Sequence, residues 1–142
     1  LGNLLTLYFF GSSAITILTL NQFLILYLGG GLIGSIGQLT SEIFQTSPFK
    51  RYAPQSHSLG ASGAVMSVLT WSILTNPTNV IMVNFIIPVP AALFGLWYIG
   101  NDLMGYMEGR PGIGYAAHLA GSAFGTGFFF ALKYRHKFFR RW

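Results

Sequence analysis

Two short stretches contain the residue types most able to do chemistry. One is Gly60-Ala61-Ser62-Gly63, a serine set among small residues. The other is His118-Leu119-Ala120-Gly121-Ser122-Ala123-Phe124-Gly125, a histidine opening a run of small residues. A serine hydroxyl is a weak nucleophile until an adjacent base takes its proton, and histidine is the usual base near neutral pH. Both stretches lie in apolar runs without charge. A polar or ionisable side chain is costly to keep in lipid unless it has a partner and a task. The pair therefore points to acyl transfer by a serine nucleophile and a histidine base working inside a bilayer.

The surroundings fit a membrane better than water. Of 142 residues, 52% are hydrophobic and only 8% charged, against about a quarter charged in ordinary soluble domains; the mean hydropathy is +0.55. Five runs lack Lys, Arg, Asp and Glu: Asn3–Leu20, Phe23–Leu39, Leu59–Leu74, Val80–Ile99 and Tyr115–Leu132. At ~1.5 Å per residue each crosses most or all of a ~30 Å hydrocarbon core. The expected architecture is an all-α, polytopic transmembrane helical bundle. Eighteen glycines suit it, since small residues let helix backbones approach closely in lipid.

The net charge of +5 does not indicate a nucleic-acid partner. Five of the eight basic residues fall in Lys133, Arg135, Lys137, Arg140 and Arg141, directly after the last run, where a juxtamembrane anchor facing cytoplasm or matrix is expected. The absence of cysteine excludes disulfides. Three histidines and three acids, scattered, offer no metal-ligand spacing, and no cofactor is expected.

The breaks between runs set their order. Asn21-Gln22 is the expected turn of a tight hairpin, and residues 40–58 form a polar loop. Asn76-Pro77-Thr78-Asn79 ends the third run, because proline cannot continue a helix. Pro88 and Pro90 should kink the fourth run or start it late. Residues 101–114 are expected to form the last loop. Alternating direction then brings Asn3, Ser62 and His118 to one membrane face. Ser62 precedes Asn76 by 14 residues and His118 precedes Lys133 by 15, or about 21 and 22 Å. Both would lie roughly 8–9 Å below the near surface of a ~30 Å core. Gly121 and Gly125 form a GxxxG seam that could draw the third and fifth runs together. Each feature alone has a packing explanation; their common depth and face make a site of them.

At these residues the chain resembles the rhomboid intramembrane serine proteases. The matching pieces are Leu1-Gly2-Asn3-Leu4-Leu5-Thr6-Leu7-Tyr8-Phe9-Phe10-Gly11, Gly60-Ala61-Ser62-Gly63-Ala64 and Ala117-His118-Leu119-Ala120-Gly121-Ser122-Ala123-Phe124-Gly125. The resemblance implies a Ser62–His118 dyad with no acidic third member, and an oxyanion donor in Asn3. It also implies transmembrane protein substrates. Residues 1–142 would be one rhomboid core, showing five helices of a six-helix bundle, with the first core helix and its following loop lying before Leu1. The oxyanion histidine usual four residues before that asparagine would lie there too. Many bacterial members place tyrosine four residues after the serine, against the catalytic histidine; here Met66 stands there. Asn84-Phe85-Ile86-Ile87-Pro88-Val89-Pro90-Ala91 and the Ser62 motif look more like the mitochondrial branch, which implies the inner mitochondrial membrane.

The remaining titratable residues have plainer expectations. Asp102 is expected at the interfacial end of the fourth helix, His57 in a solvated loop and His136 in the basic tail. The alternative to a protease is an inactive rhomboid-like scaffold or quality-control binding protein. Inactive relatives usually lose the serine or the histidine, or carry proline before the serine. Ser62 and His118 are both present here, and Ala61 precedes the serine.

Overall fold

The computed structural model describes residues 2–45, 61–83, 86–110 and 112–139. The chain opens with a helical rod made of α1 (Gly2–Thr6), a π-helical turn (Leu7–Gly11) and α2 (Ser12–Ile15). Four longer helices follow: α3 (Leu20–Gln45), α4 (Ser62–Thr75), α5 (Ala91–Glu108) and α6 (Tyr115–Phe139). A two-stranded antiparallel hairpin, β1 (Val80–Val83) and β2 (Ile87–Pro90), stands between α4 and α5.

The helical bundle expected from the sequence is present, but several boundaries move. The first turn lies before Asn21, not at Asn21-Gln22. Thr19 and Gln22 form a reciprocal cap, in which the Thr19 N–H donates to Gln22 Oε1 at 2.9 Å and the Gln22 N–H donates to Thr19 Oγ1 at 3.3 Å. This Thr-x-x-Gln box satisfies two donors that a helix start leaves free, so Asn21 and Gln22 sit inside the first turn of α3. At its other end α3 continues through Thr40-Ser41-Glu42 to Gln45, taking in the start of the expected loop.

The fourth run is the largest correction. Instead of one helix over Val80–Ile99, its first half is the β-hairpin, with Met82 paired to Pro88 and Val80 to Pro90. Proline cannot donate to a ladder, and a two-stranded hairpin tolerates it because both strands are edges. Pro90, at φ −57° and ψ 137°, then leads into α5. The prolines delay the helix rather than kinking it. The Ala91 and Ala92 N–H groups donate to the Asn79 and Pro77 carbonyls at 2.7 and 2.9 Å, closing the hairpin onto the turn that ends α4. Helix α5 runs well past Ile99 to Glu108 and stops at Gly109, whose left-handed φ of 65° lets its N–H return to the last turn.

The core is built on α4, which is buried along nearly its whole length, from Ser62 to Ile73. Helices α3 and α6 flank it and pack on each other. Contacts between them use small residues. A Cβ at Gly34 would stand 2.9 Å from Gly63 Cα and 3.0 Å from the Ala117 carbonyl oxygen. Ser67, fully buried, places its hydroxyl 2.8 Å from both the Leu26 and Ala64 carbonyl oxygens, tying α3 to α4. The Ser72 hydroxyl donates to the Phe10 carbonyl at 3.3 Å, fixing the π turn against α4.

The outer surface is apolar. Along α3, Leu28, Leu32, Ile36, Leu39 and Ile43 are exposed, while Leu26, Gly30, Gly34 and Gln38 face inward. On α5 the exposed set includes Leu93, Leu96, Trp97, Met104 and Met107. Small residues inside and large apolar ones outside are the pattern of helices packed in lipid. Among the described residues, α3 is the one helix that is both long and apolar enough to cross a membrane by itself. Leu20–Phe44 covers 25 residues, or about 37 Å of rise. Helix α4 is apolar but shorter, which suits a helix enclosed by its neighbours.

Candidate active site

Ser62 is the first residue of α4. The ladder of that helix opens with the Val65 N–H donating to the Ala61 carbonyl at 2.9 Å. The amides of Ser62, Gly63 and Ala64 precede it, and the opening amides of a helix have no partner within it. They also lie at the positive end of the helix dipole. Ser62 is 7% exposed, and its Oγ is buried without a hydrogen-bond partner. Trp71 Nε1 and Ser122 Oγ share that condition among the described residues, but neither stands at a helix start beside a glycine-rich contact.

His118 lies in the first turns of α6, its N–H donating to the Gly114 carbonyl at 3.1 Å. The seam expected from Gly121 and Gly125 is present. A Cβ at Gly121 would overlap the Gly63 carbonyl oxygen and stand 2.9 Å from Gly63 Cα. A Cβ at Gly125 would stand 2.9 Å from Ser67 Cα. Thus the residue after Ser62 touches the helix position three after His118, and the two side chains share one end of the α4–α6 contact. Gln38 supports that end from α3: its Oε1 accepts the Ala117 N–H at 3.4 Å, and its Nε2 donates to Glu42 Oε1 at 2.9 Å. Sequence reasoning had not singled out Gln38.

Asp102 departs from expectation. It does not close its helix but lies inside α5, its side chain 5% exposed. Its Oδ2 lies 3.0 Å from His118 Nδ1, and the His118 side chain is 11% exposed. The resemblance implied no acid beside the histidine; the structure puts one against it. Tyr98 adds a ring contact, its centroid 6.3 Å from that of His118 with the planes inclined at 35°. A sequence signal for this face existed. Ala91, Gly95, Tyr98, Asp102 and Gly105 recur at 4-3-4-3 spacing, one stripe of a helix. Four of the five are buried.

Asn3 is exposed on α1, which packs against α4. Met66, four residues after Ser62, packs with Leu69, Ile73 and Ala91 in an apolar cluster. The Gly60 position and His57 lie outside the described residues, as does the His136 side chain. No group of potential metal ligands occurs among the described residues.

Comparison with known proteins bears on this arrangement. A family model for the Rhomboid domain matches residues 1–135. The chain is 38% identical over 129 residues to RHOMBOID-like protein 12, mitochondrial, of Arabidopsis thaliana, covering 86% of this chain and 38% of that protein. It is 32% identical over 128 residues to the presenilin-associated rhomboid-like protein, mitochondrial, of Homo sapiens, covering 87% and 31% respectively. Rhomboid protein 1, mitochondrial, of Saccharomyces cerevisiae is 32% identical over 125 residues, covering 87% and 35%. The chain thus spans about a third of the length of these curated relatives. No solved structure matches it. A match running from the first helical rod through nearly all of α6 takes in all three of the stretches that first suggested the resemblance, and the chain belongs to the rhomboid family.

Proposed function

We propose that this chain carries the catalytic centre of an intramembrane serine endopeptidase that cuts transmembrane proteins, in the inner mitochondrial membrane. Rhomboid proteins are in general intramembrane serine proteases, and the curated relatives bear mitochondrial names. The observation that carries the assignment is the buried, unpartnered Ser62 Oγ at the start of α4, held next to the His118 turn by the Gly63–Gly121 contact. Unpaired buried hydroxyls are uncommon, and a catalytic role is one recurrent reason for them. Catalytic hydrogen bonds are often loose without substrate and tighten on binding.

In this mechanism the Ser62 Oγ attacks the scissile carbonyl carbon while His118 takes the hydroxyl proton. The resulting oxyanion is met by the opening amides of α4, which have no partner within the helix, and by Asn3. Collapse breaks the C–N bond, and His118 returns its proton to the leaving amine. Water then loses a proton to His118 and attacks the acyl ester; its C–O bond breaks, and His118 returns that proton to the Ser62 Oγ as it leaves. The space that a side chain at Gly63 would need is taken by the backbones of α3 and α6, so Gly63 fixes the start of α4 against its neighbours.

A fluorophosphonate probe tests the assignment. The wild-type protein should be labelled in membranes, and Ser62→Ala should not. An unlabelled wild-type protein would favour the inactive scaffold instead. Asn3→Ala should lower kcat by roughly 10- to 1,000-fold, the upper end being typical of one lost oxyanion donor, with little change in substrate binding because the donor acts on developing charge. An unchanged kcat would leave Asn3 as a packing residue.

A further inference from the structure

We infer that Asp102 is a positioning residue for the reaction, holding His118 in the one tautomer and orientation in which its Nε2 can take the Ser62 proton. The inference rests on the proposed serine protease reading and goes beyond its two-residue centre. An ionised carboxylate can only accept hydrogen bonds. With Asp102 Oδ2 at 3.0 Å from His118 Nδ1, the ring proton belongs on Nδ1, and the lone pair is left on Nε2, at the far side of the ring. That is the form a base must have to receive a proton from serine.

Burial makes the contact informative. A carboxylate that is 5% exposed in an apolar helix bundle is costly unless paired and hydrogen-bonded. Its partner is His118 rather than a lysine or arginine. Arg110, the nearest basic residue in sequence, lies beyond α5 and is engaged with Glu108 at the end of that helix. Tyr98 lies one turn before Asp102 on the same face and covers the imidazole ring. Met66 occupies the position from which many family members supply that ring contact, and it is packed away in an apolar cluster. Helix α5 therefore supplies both restraints on the base, one polar and one aromatic.

The test uses the full-length protein in detergent micelles or nanodiscs, comparing wild type with Asp102→Asn. The variant is nearly isosteric, but its amide can donate to Nδ1 and so favours the Nε2–H tautomer, which cannot accept from serine. Its kcat should fall on the order of 10²- to 10⁴-fold, within the range for a triad acid changed to its amide. KM and the thermal midpoint should change little. Nitrogen-15 NMR of the His118 ring should show Nδ1–H in the wild type and a shift towards Nε2–H in Asp102→Asn, a change that a merely structural role would not produce. Wild-type protein carrying Nε2–H would overturn the inference without needing the variant to fold. Full fluorophosphonate labelling by Asp102→Asn would overturn it too, while leaving the Ser62–His118 reading intact. Absence of Ser62-dependent labelling in the wild type would remove that reading and this role with it.

Discussion

Changing His118 to alanine should reduce single-turnover cleavage of a transmembrane reporter by about 10⁶-fold, to the level of Ser62→Ala. The double variant should be no worse than either single one. A nucleophile and its base act as one unit, so removing either forfeits nearly all that the pair provides, and the losses do not add. Any residual rate would come from substrate binding and the opening amides of α4. The two changes differ in what they delete: Ser62→Ala removes one oxygen without a partner, whereas His118→Ala removes a nearly buried ring held by Asp102 and Tyr98. Ser62→Ala should therefore keep its thermal midpoint, whereas His118→Ala strands the buried Asp102 carboxylate and should lower it somewhat. Cleavage surviving in Ser62→Ala would refute the protease reading. Cleavage surviving in His118→Ala alone would mean that another group activates the serine.

That the segments carrying Ser62 and His118 meet was legible in the sequence because helix rise and bilayer thickness are fixed lengths, and Gly63 and Gly121 are in contact. Counting residues from each apolar run's far end placed the two at equal depth. The small-residue seam was legible for a related reason: a glycine pair at i, i+4 has little to do in lipid except admit a neighbouring backbone, and Gly63 and Ser67 are the neighbours that Gly121 and Gly125 admit. The role of α5 was hidden by the charge of Asp102. An apolar-run criterion ends at the first acid, so the run closed at Ile99 although the helix continues to Glu108. The cost of that carboxylate is offset by a partner from another helix, which no local pattern reveals. The β-hairpin was hidden too, because Val80–Ile99 is uniformly apolar and periodicity cannot separate strand from helix in such a run. Pro88 and Pro90 did mark the late start of α5. The Thr19–Gln22 cap was available as a Thr-x-x-Gln spacing, but Asn21-Gln22 between two apolar runs gave the stronger turn signal and misplaced the corner by a few residues.

Gly121→Leu should lose both fold stability and activity. At Gly121 the first atoms met by any side chain are the Gly63 carbonyl oxygen and, at 2.9 Å, Gly63 Cα. These are backbone atoms at the start of α4, so no rotamer change can clear them. The helices must separate, or α4 must shift along α6. Overpacking of a tight core typically costs about 1–3 kcal/mol, and a clash against backbone should fall at or above the upper end. The site makes the consequence sharper than in an ordinary core, because Gly63 follows Ser62 and Gly121 lies one turn from His118. Displacing this contact by even ~1 Å would misalign nucleophile and base, a scale of error that can cost about 100-fold in rate. Gly127→Leu is the matched control. It adds the same side chain to the same helix where a Cβ meets nothing within 4 Å, so it should retain both midpoint and turnover. The pair separates steric disruption of the seam from any effect of leucine on helix propensity or lipid contact. If Gly121→Leu melts and cleaves like Gly127→Leu, the Gly63–Gly121 contact does not set the geometry of Ser62 and His118, and the alignment of the two must come instead from α5 through Asp102 and Tyr98.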